Sequence, residues 1–204
     1  MNEIFEYRGV EGAVYAEVTK DTADAFETGA VKPLTGLSEI GKKTSSSSAT
    51  HYYDNVPAIA INSTGSDEIT ASTAAIPLDV LAEITGQEYD EATGMMVEGE
   101  RKNKYFAFGY ITEKTNGKQV LVWRLKGTFS IPDSTHKTKD DGTDAEGQQI
   151  TYTGISTTHK FEKYGKPAKA VNVDTEKELA DVTDFFSKVQ TPDTIKAKTE
   201  TPAA

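Results

Sequence analysis

The chain has 204 residues, enough for one domain with elaborations, and 36% hydrophobic residues permit a packed core with little to spare. Its 22 Lys and Arg face 32 Asp and Glu, a formal charge of −10 that excludes ordinary nucleic-acid binding, which needs basic side chains to displace counterions from phosphates. There is no cysteine, which removes disulfides, thiolate nucleophiles and Cys-ligated zinc from consideration.

The opening MNEIFEYRGVEGAVYAEV has no basic start, apolar h-region or small-residue cleavage site, so no secretory signal is expected. No segment approaches the roughly 20 apolar residues of a membrane span, so the expectation is a soluble protein made in a cytoplasm. Thr, Ser and Gly with short Val and Ile runs favour strands and turns over long helices.

Residues 12–19 alternate, with Val14, Ala16 and Val18 on one face and Tyr15 and Glu17 on the other, which predicts a half-buried strand. VKPLTGLSEI reads as extended, with Pro33 at an edge or strand start. KKTSSSSATHYYDN then reads as a soft Ser-rich loop, residues 42–55, whose far end carries Tyr52 and Tyr53. AIAIN and DEITASTAAI read as two strands joined by an STGS hairpin turn. In the second, Ile69, Ala71, Thr73 and Ala75 share one side, and Glu68, Thr70, Ser72 and Ala74 the other.

PLDVLAEITG is the clearest helix. Pro77 suits the first helical position, Asp79 complements the dipole, and Gly86 stands where a left-handed cap is wanted. Residues 104–114 and 118–129 flank Thr115-Asn116-Gly117 and predict an aromatic hairpin carrying Tyr105, Phe106, Phe108, Tyr110, Ile111, Val120, Val122 and Trp123, with Asn-Gly expected to supply the positive φ angles of the turn. A polar loop, residues 132–147, precedes another strand, QITYTGISTTHKF. Thr175 and Glu178 spell a capping box, with Leu179, Val182, Phe186 and Val189 at helical spacing. Thr191-Pro192 stops that helix and KAKTETPAA reads as a disordered tail.

Little in the chain asks to be an active site, and no enzyme, cofactor or metal is expected. His51, His136 and His159 lack metal-ligand spacing. DDGTDAEG has a calcium-loop flavour but not the required order, and Asp140 with Asp141 or Asp67 with Glu68 sit in or beside turns. No GxSxG elbow, phosphate-binding glycine loop or HExxH occurs. Trp123 and the tyrosines could stack on a sugar, but alternating aromatics in a hairpin more often pack against a helix.

The order of elements, with the spellings YYDN, LAEITG, VWRLKGTF and QTPDTI, resembles the major tail proteins of long-tailed, non-contractile bacteriophages, over residues 1–161 and loosely to 192. The resemblance implies a mainly β (α+β) tail-tube fold: a two-sheet, barrel-like β-sandwich with a flanking short helix. It divides the chain into a tail-tube domain, residues 1–163 with 42–57 as an inter-subunit arm, and a C-terminal extension, 164–204. It further implies a virion protein forming stacked, hexameric rings around a tape-measure protein, in contact with tail-terminator and tail-tip proteins. Double-stranded DNA would pass transiently through the bore on ejection into the host, without a membrane role.

On that resemblance, Lys42, Lys43, Tyr52, Tyr53, Asp54 and Asn55 are candidate subunit or ring contacts. The tyrosines would supply rigid contact area, while Asp54 and Asn55 satisfy backbone groups or a partner's Lys. Glu68, Thr70 and Ser72 are the candidate lumen face, where carboxylates would repel DNA at short range. Two rival readings are a carbohydrate- or host-binding β-sandwich of the tail tip with an exposed aromatic platform, and a tail terminator or connector forming a single ring.

Overall fold

Antiparallel strands dominate the computed structural model, which describes residues 4–139 and 146–198. In chain order they are β1 (Tyr7–Asp21), β2 (Phe26–Thr28), β3 (Lys32–Pro33), β4 (Leu37–Tyr53), β5 (Val56–Thr73), helix α1 (Leu78–Thr85), β6 (Glu88–Asp90), β7 (Met95–Val97), β8 (Phe106–Lys114), β9 (Gln119–Phe129), β10 (Asp133–Ser134), β11 (Gln148–Ile155) and β12 (Ala170–Asp174). One sheet runs β2-β1-β8-β9-β11-β5-β4, with β3 added to β1, β10 to β11 and β12 to β9; β6 and β7 pair separately. The mainly β, sandwich-like architecture with one short helix agrees with expectation.

The sheet curls around an aromatic core. Alternation places Ile69 and Ala71 of β5, Phe106, Phe108 and Tyr110 of β8, Phe129 of β9, and Ile150 and Tyr152 of β11 on the concave side, where all are buried. Ring centroids lie 5.1 Å apart for Phe129–Tyr152 and 5.5 Å for Phe108–Phe129, both edge-on, the geometry that ring quadrupoles favour. An added Cβ on Gly127 would stand 2.4 Å from both the Tyr152 ring and the Thr153 carbonyl oxygen, so only glycine lets these strands close over the ring.

Helix α1 closes one side of this core through Leu81, Ala82 and Ile84. Pro77 lies one place earlier than expected: its ψ of 143° is extended, so it precedes the helix. Gly86 takes the left-handed cap at φ 72°. Glu83 ties the helix to the sheet, accepting from the Tyr15 hydroxyl at 2.6 Å and pairing with Lys32 at 2.6 Å. Burial, and then this bond to Glu83, push the Tyr15 hydroxyl far above its ordinary range.

A second core lies on the opposite face of β1, β8 and β9. Trp123, Leu121, Leu125 and Ala107 point outward there and are covered by Phe161, Val171, Phe185 and Val189. The Trp123 indole N–H donates to the Phe185 carbonyl at 3.1 Å. Residues 164–198 are thus laid over the domain, with β12 hydrogen-bonded to β9 from Ala170↔Arg124 to Asp174↔Val120.

Several sequence expectations need correction. The aromatic hairpin and its Thr115-Asn116-Gly117 turn are present as expected, but only Gly117 has positive φ (77°) and Asn116 does not, with Lys114 N–H donating to the Lys118 carbonyl at 2.8 Å. The strand expected to reach Phe161 ends at Ile155. The C-terminal helix is not formed; a single 3-10 turn, Thr175–Lys177, replaces it. Its capping residue is Asp174, whose side chain accepts from Glu176 N–H, because the Thr175 hydroxyl is held by the Gln119 backbone. Beyond it, Asp181 N–H donates to the Lys196 carbonyl and Lys198 N–H to that of Leu179, which draws the chain out of helical register. The acidic DDGTDAEG motif falls largely at 140–145, outside the described residues, as does the tail from residue 199.

Candidate assembly surface

The largest departure from the sequence reading concerns residues 42–66. The serine tract is not a loop. It is the middle of β4, paired with β5 from Leu37↔Thr73 to Tyr53↔Val56. STGS is not a turn either; β5 runs through it, with a register shift opposite Thr44/Ser46 that bends the ribbon at Gly65-Ser66. The reversal occurs at Asp54-Asn55, whose φ angles of 51° and 64° are those of a two-residue type I′ turn. Asp and Asn are the non-glycine residues that tolerate this conformation best.

Beyond the bend, Ser46–Tyr53 and Val56–Thr64 pair only with each other, because β11 meets β5 no further out than Asp67. The result is a freestanding two-stranded arm about 27 Å long at about 3.4 Å per residue. Every side chain along it is exposed on both faces. Register sorts those faces. Ser47↔Ser63, Ala49↔Ile61, His51↔Ile59 and Tyr53↔Val56 share one, apolar towards the tip, and Ser46↔Thr64, Ser48↔Asn62, Thr50↔Ala60 and Tyr52↔Pro57 the other. The first is an apolar stripe in water: Tyr53 is 61% exposed, Val56 60%, Ile59 48% and Ile61 53%. The second is small and polar apart from Tyr52 (65% exposed) and Pro57. An isolated two-stranded hairpin is marginal in water, so its order and its exposed stripe both call for a cover.

The arm is anchored at its root. Asp67 of β5 is buried and pairs with Arg124 of β9 at 3.1 Å, and Lys169 lies 3.6 Å from it. Arg124 also donates to the Tyr110 hydroxyl at 3.3 Å, and Lys169 donates to the Gly65 carbonyl beside the bend. Sequence reading placed Asp67 at the start of a strand beside a turn and missed this cluster. The available signal was a lone Asp opening an otherwise alternating strand.

The remaining predicted residues separate onto two sides of the sheet. Lys42 is opposite Ile69, on the concave side, whereas Lys43 is opposite Glu68, on the convex side. Glu68, Thr70 and Ser72 do share a face, as their alternation implied. Thr153, Thr151 and Gln149 of β11 stand opposite them in turn, and Glu39 is opposite Ser72. This polar face is one continuous surface separate from both cores. The arm residues Tyr52, Tyr53, Asp54 and Asn55 gather at the hairpin tip.

Two strand edges stand open near the arm. The outer edge of β4 has no partner strand among the described residues, and neither does the edge of β1 from Tyr7 to Gly12. Between them lies a cavity of about 650 Å³ with Val10, Ile40, Tyr110, Val120 and Val122 in its walls. Arg124 and Lys42 also line it.

Trp123 is fully buried and Phe106, Phe108 and Tyr110 lie in the first core, whereas Tyr105 at the start of the same ribbon is 42% exposed, with the Lys126 ammonium 4.7 Å above its ring. His51 and His136 are exposed, and His159 packs edge-on against Phe161. Among the described residues no cluster of three or more His, Asp or Glu is arranged to hold a metal ion, and no helix is long and apolar enough to cross a membrane. Neither family models nor curated proteins match this chain.

Proposed function

We propose that the protein is a self-assembling structural subunit: a tail-tube protein whose stacked rings form the conduit of a long-tailed bacteriophage. The observation that carries this reading is the arm, an ordered ribbon with an apolar stripe and no partner among the described residues of its own chain. Open edges on β1 and β4 add backbone donors and acceptors that a monomer leaves to water and a neighbouring copy can satisfy. The continuous polar face through Glu68, Thr70 and Ser72 supplies a wall for a bore, while the apolar surfaces lie elsewhere. The tape-measure protein, tail terminator and tail-tip proteins are the further partners of such a tube, and the virion its destination.

The test is negative-stain microscopy with sedimentation velocity across a concentration series. Tubes or stacked rings are the expected result. Single rings that never stack favour a terminator or connector, and a monomer at all concentrations and with a tape-measure partner present overturns the proposal.

A further inference from the structure

We infer that the cavity between β1 and β4 is the acceptor for the hairpin tip of a second copy, with the Asp54 carboxylate entering beside Lys42 and Arg124. This rests on the self-assembly reading above and specifies the contact that would build it.

The cavity is a built site. Its volume, about 650 Å³, is that of a pocket taking a mid-sized ligand, and its floor is apolar. Of its charged lining residues, Arg8, Lys42 and Arg124 are cationic, Arg8 being paired with Glu113, and Glu39 is anionic. Lys42 has no ion-pair partner among the described residues. Arg124 is more than nine-tenths buried and leaves its Nε without any hydrogen-bond partner. A buried donor left idle is costly, and the cluster of Arg124, Lys169 and Asp67 holds two cations against one anion. Glu39 contributes to the wall, but its register with Ser72 places its side chain on the convex side. In a chain of net charge −10, a cavity with this balance selects a carboxylate joined to apolar bulk.

The hairpin tip has that chemistry. Tyr52, Tyr53 and Val56 are exposed around Asp54, and the left-handed turn holds the carboxylate at the end of a stiff ribbon. The same strand carries acceptor and donor: β4 lines the cavity at Lys42 and ends at Tyr53, roughly 37 Å further along at about 3.4 Å per residue. An extended ribbon cannot return its tip to its own cavity. Each copy therefore gives one arm and receives one, a head-to-tail contact that propagates into rings or filaments.

Charge exchange tests this. Asp54→Lys and Lys42→Glu each alter an exposed side chain, and circular dichroism should report an unchanged fold. Asp54→Asn, which keeps the left-handed turn, separates charge from turn geometry. Each single variant is expected to raise the concentration for half-assembly on the order of 100-fold, the effect of truncating a residue at the centre of an interface. The double variant in one chain should recover to within about 10-fold of wild type. An equimolar mixture of the two charge-reversed single variants should also assemble, in alternation, because each arm then meets an opposite charge. Single variants that assemble like wild type, or a mixture as inert as its components, overturn the acceptor assignment while leaving self-assembly intact. A wild type that never assembles removes both.

Discussion

At the scale of single residues, the charges that matter are those taken out of water. Arg124 and Asp67 are 8% and 6% exposed, so losing one partner strands the other without solvation. Asp67→Asn should cost about 3–5 kcal/mol, read as a lower urea midpoint. Glu88→Gln breaks a pair in which both side chains are 70% exposed and should leave the midpoint unchanged. Asp21 offers a test in pH. Burial pushes its carboxyl upward, but Lys126 at 2.6 Å and the N–H groups of Thr158 and His159 outweigh it and hold the group below its usual range. A depressed folded-state pKa contributes stability that is complete above the unfolded value, about 3.9, and is lost as pH falls through the folded one. Asp21→Asn should therefore lower the melting temperature at pH 7 and make its fall below about pH 4 shallower than in wild type. Parallel acid limbs in the two proteins would contradict this.

At the scale of elements, the arm should be separable from the domain that carries it. Because Ser45 and Gly65 adjoin across the bend, replacing Ser46–Thr64 with Asn-Gly closes a shorter hairpin without touching either core. The shortened protein should melt within a few degrees of wild type and fail to assemble; tubes of normal length from it would show that the arm is dispensable for assembly. Local signals made much of the fold legible. Asn116-Gly117, the LDVLAEIT stripe before Gly86 and the alternation of DEITAST each encode their structure within ten residues or so. The arm was illegible because its strands are held by backbone pairing and one Ser47–Ser63 hydroxyl contact, not by burial. Ser, Thr and Ala carry no burial pattern when both faces are wet, and STGS spells a turn that the ladder overrides. The C-terminal segment failed for the opposite reason. Its apolar spacing fits a helix, but tertiary contacts decide: Thr175 is captured by Gln119, and burying Phe185 and Val189 over Trp123 suits irregular turns. The candidate lumen residues were recoverable as a face but not as a place in the assembly, and the acceptor cavity, made by strands distant in sequence, gave no local signal.

At the scale of the whole molecule, the distribution of charge bears on how a conduit would treat DNA. The convex face that would line the bore carries Glu39 and Glu68 with Lys43 opposite Glu68, and is otherwise Ser, Thr and Gln across β5 and β11. Asp133 stands opposite Gln149 on the same side, so the described part of this face holds three carboxylates and one ammonium, a small acidic excess spread over a polar wall. Such a wall would let DNA slide because it has too few cations to release counterions from phosphates, with repulsion secondary. The two mechanisms separate by experiment. Neutralising Glu68 with Gln should leave DNA unbound by assembled tubes, since no cation cluster is created. Thr70→Lys with Ser72→Lys should make DNA co-sediment with tubes at about 50 mM salt and release it by about 200 mM, with a logarithmic salt slope of about −0.9 per phosphate neutralised. Retention by the Glu68→Gln tubes would instead mean that repulsion from that carboxylate had been keeping DNA off the wall.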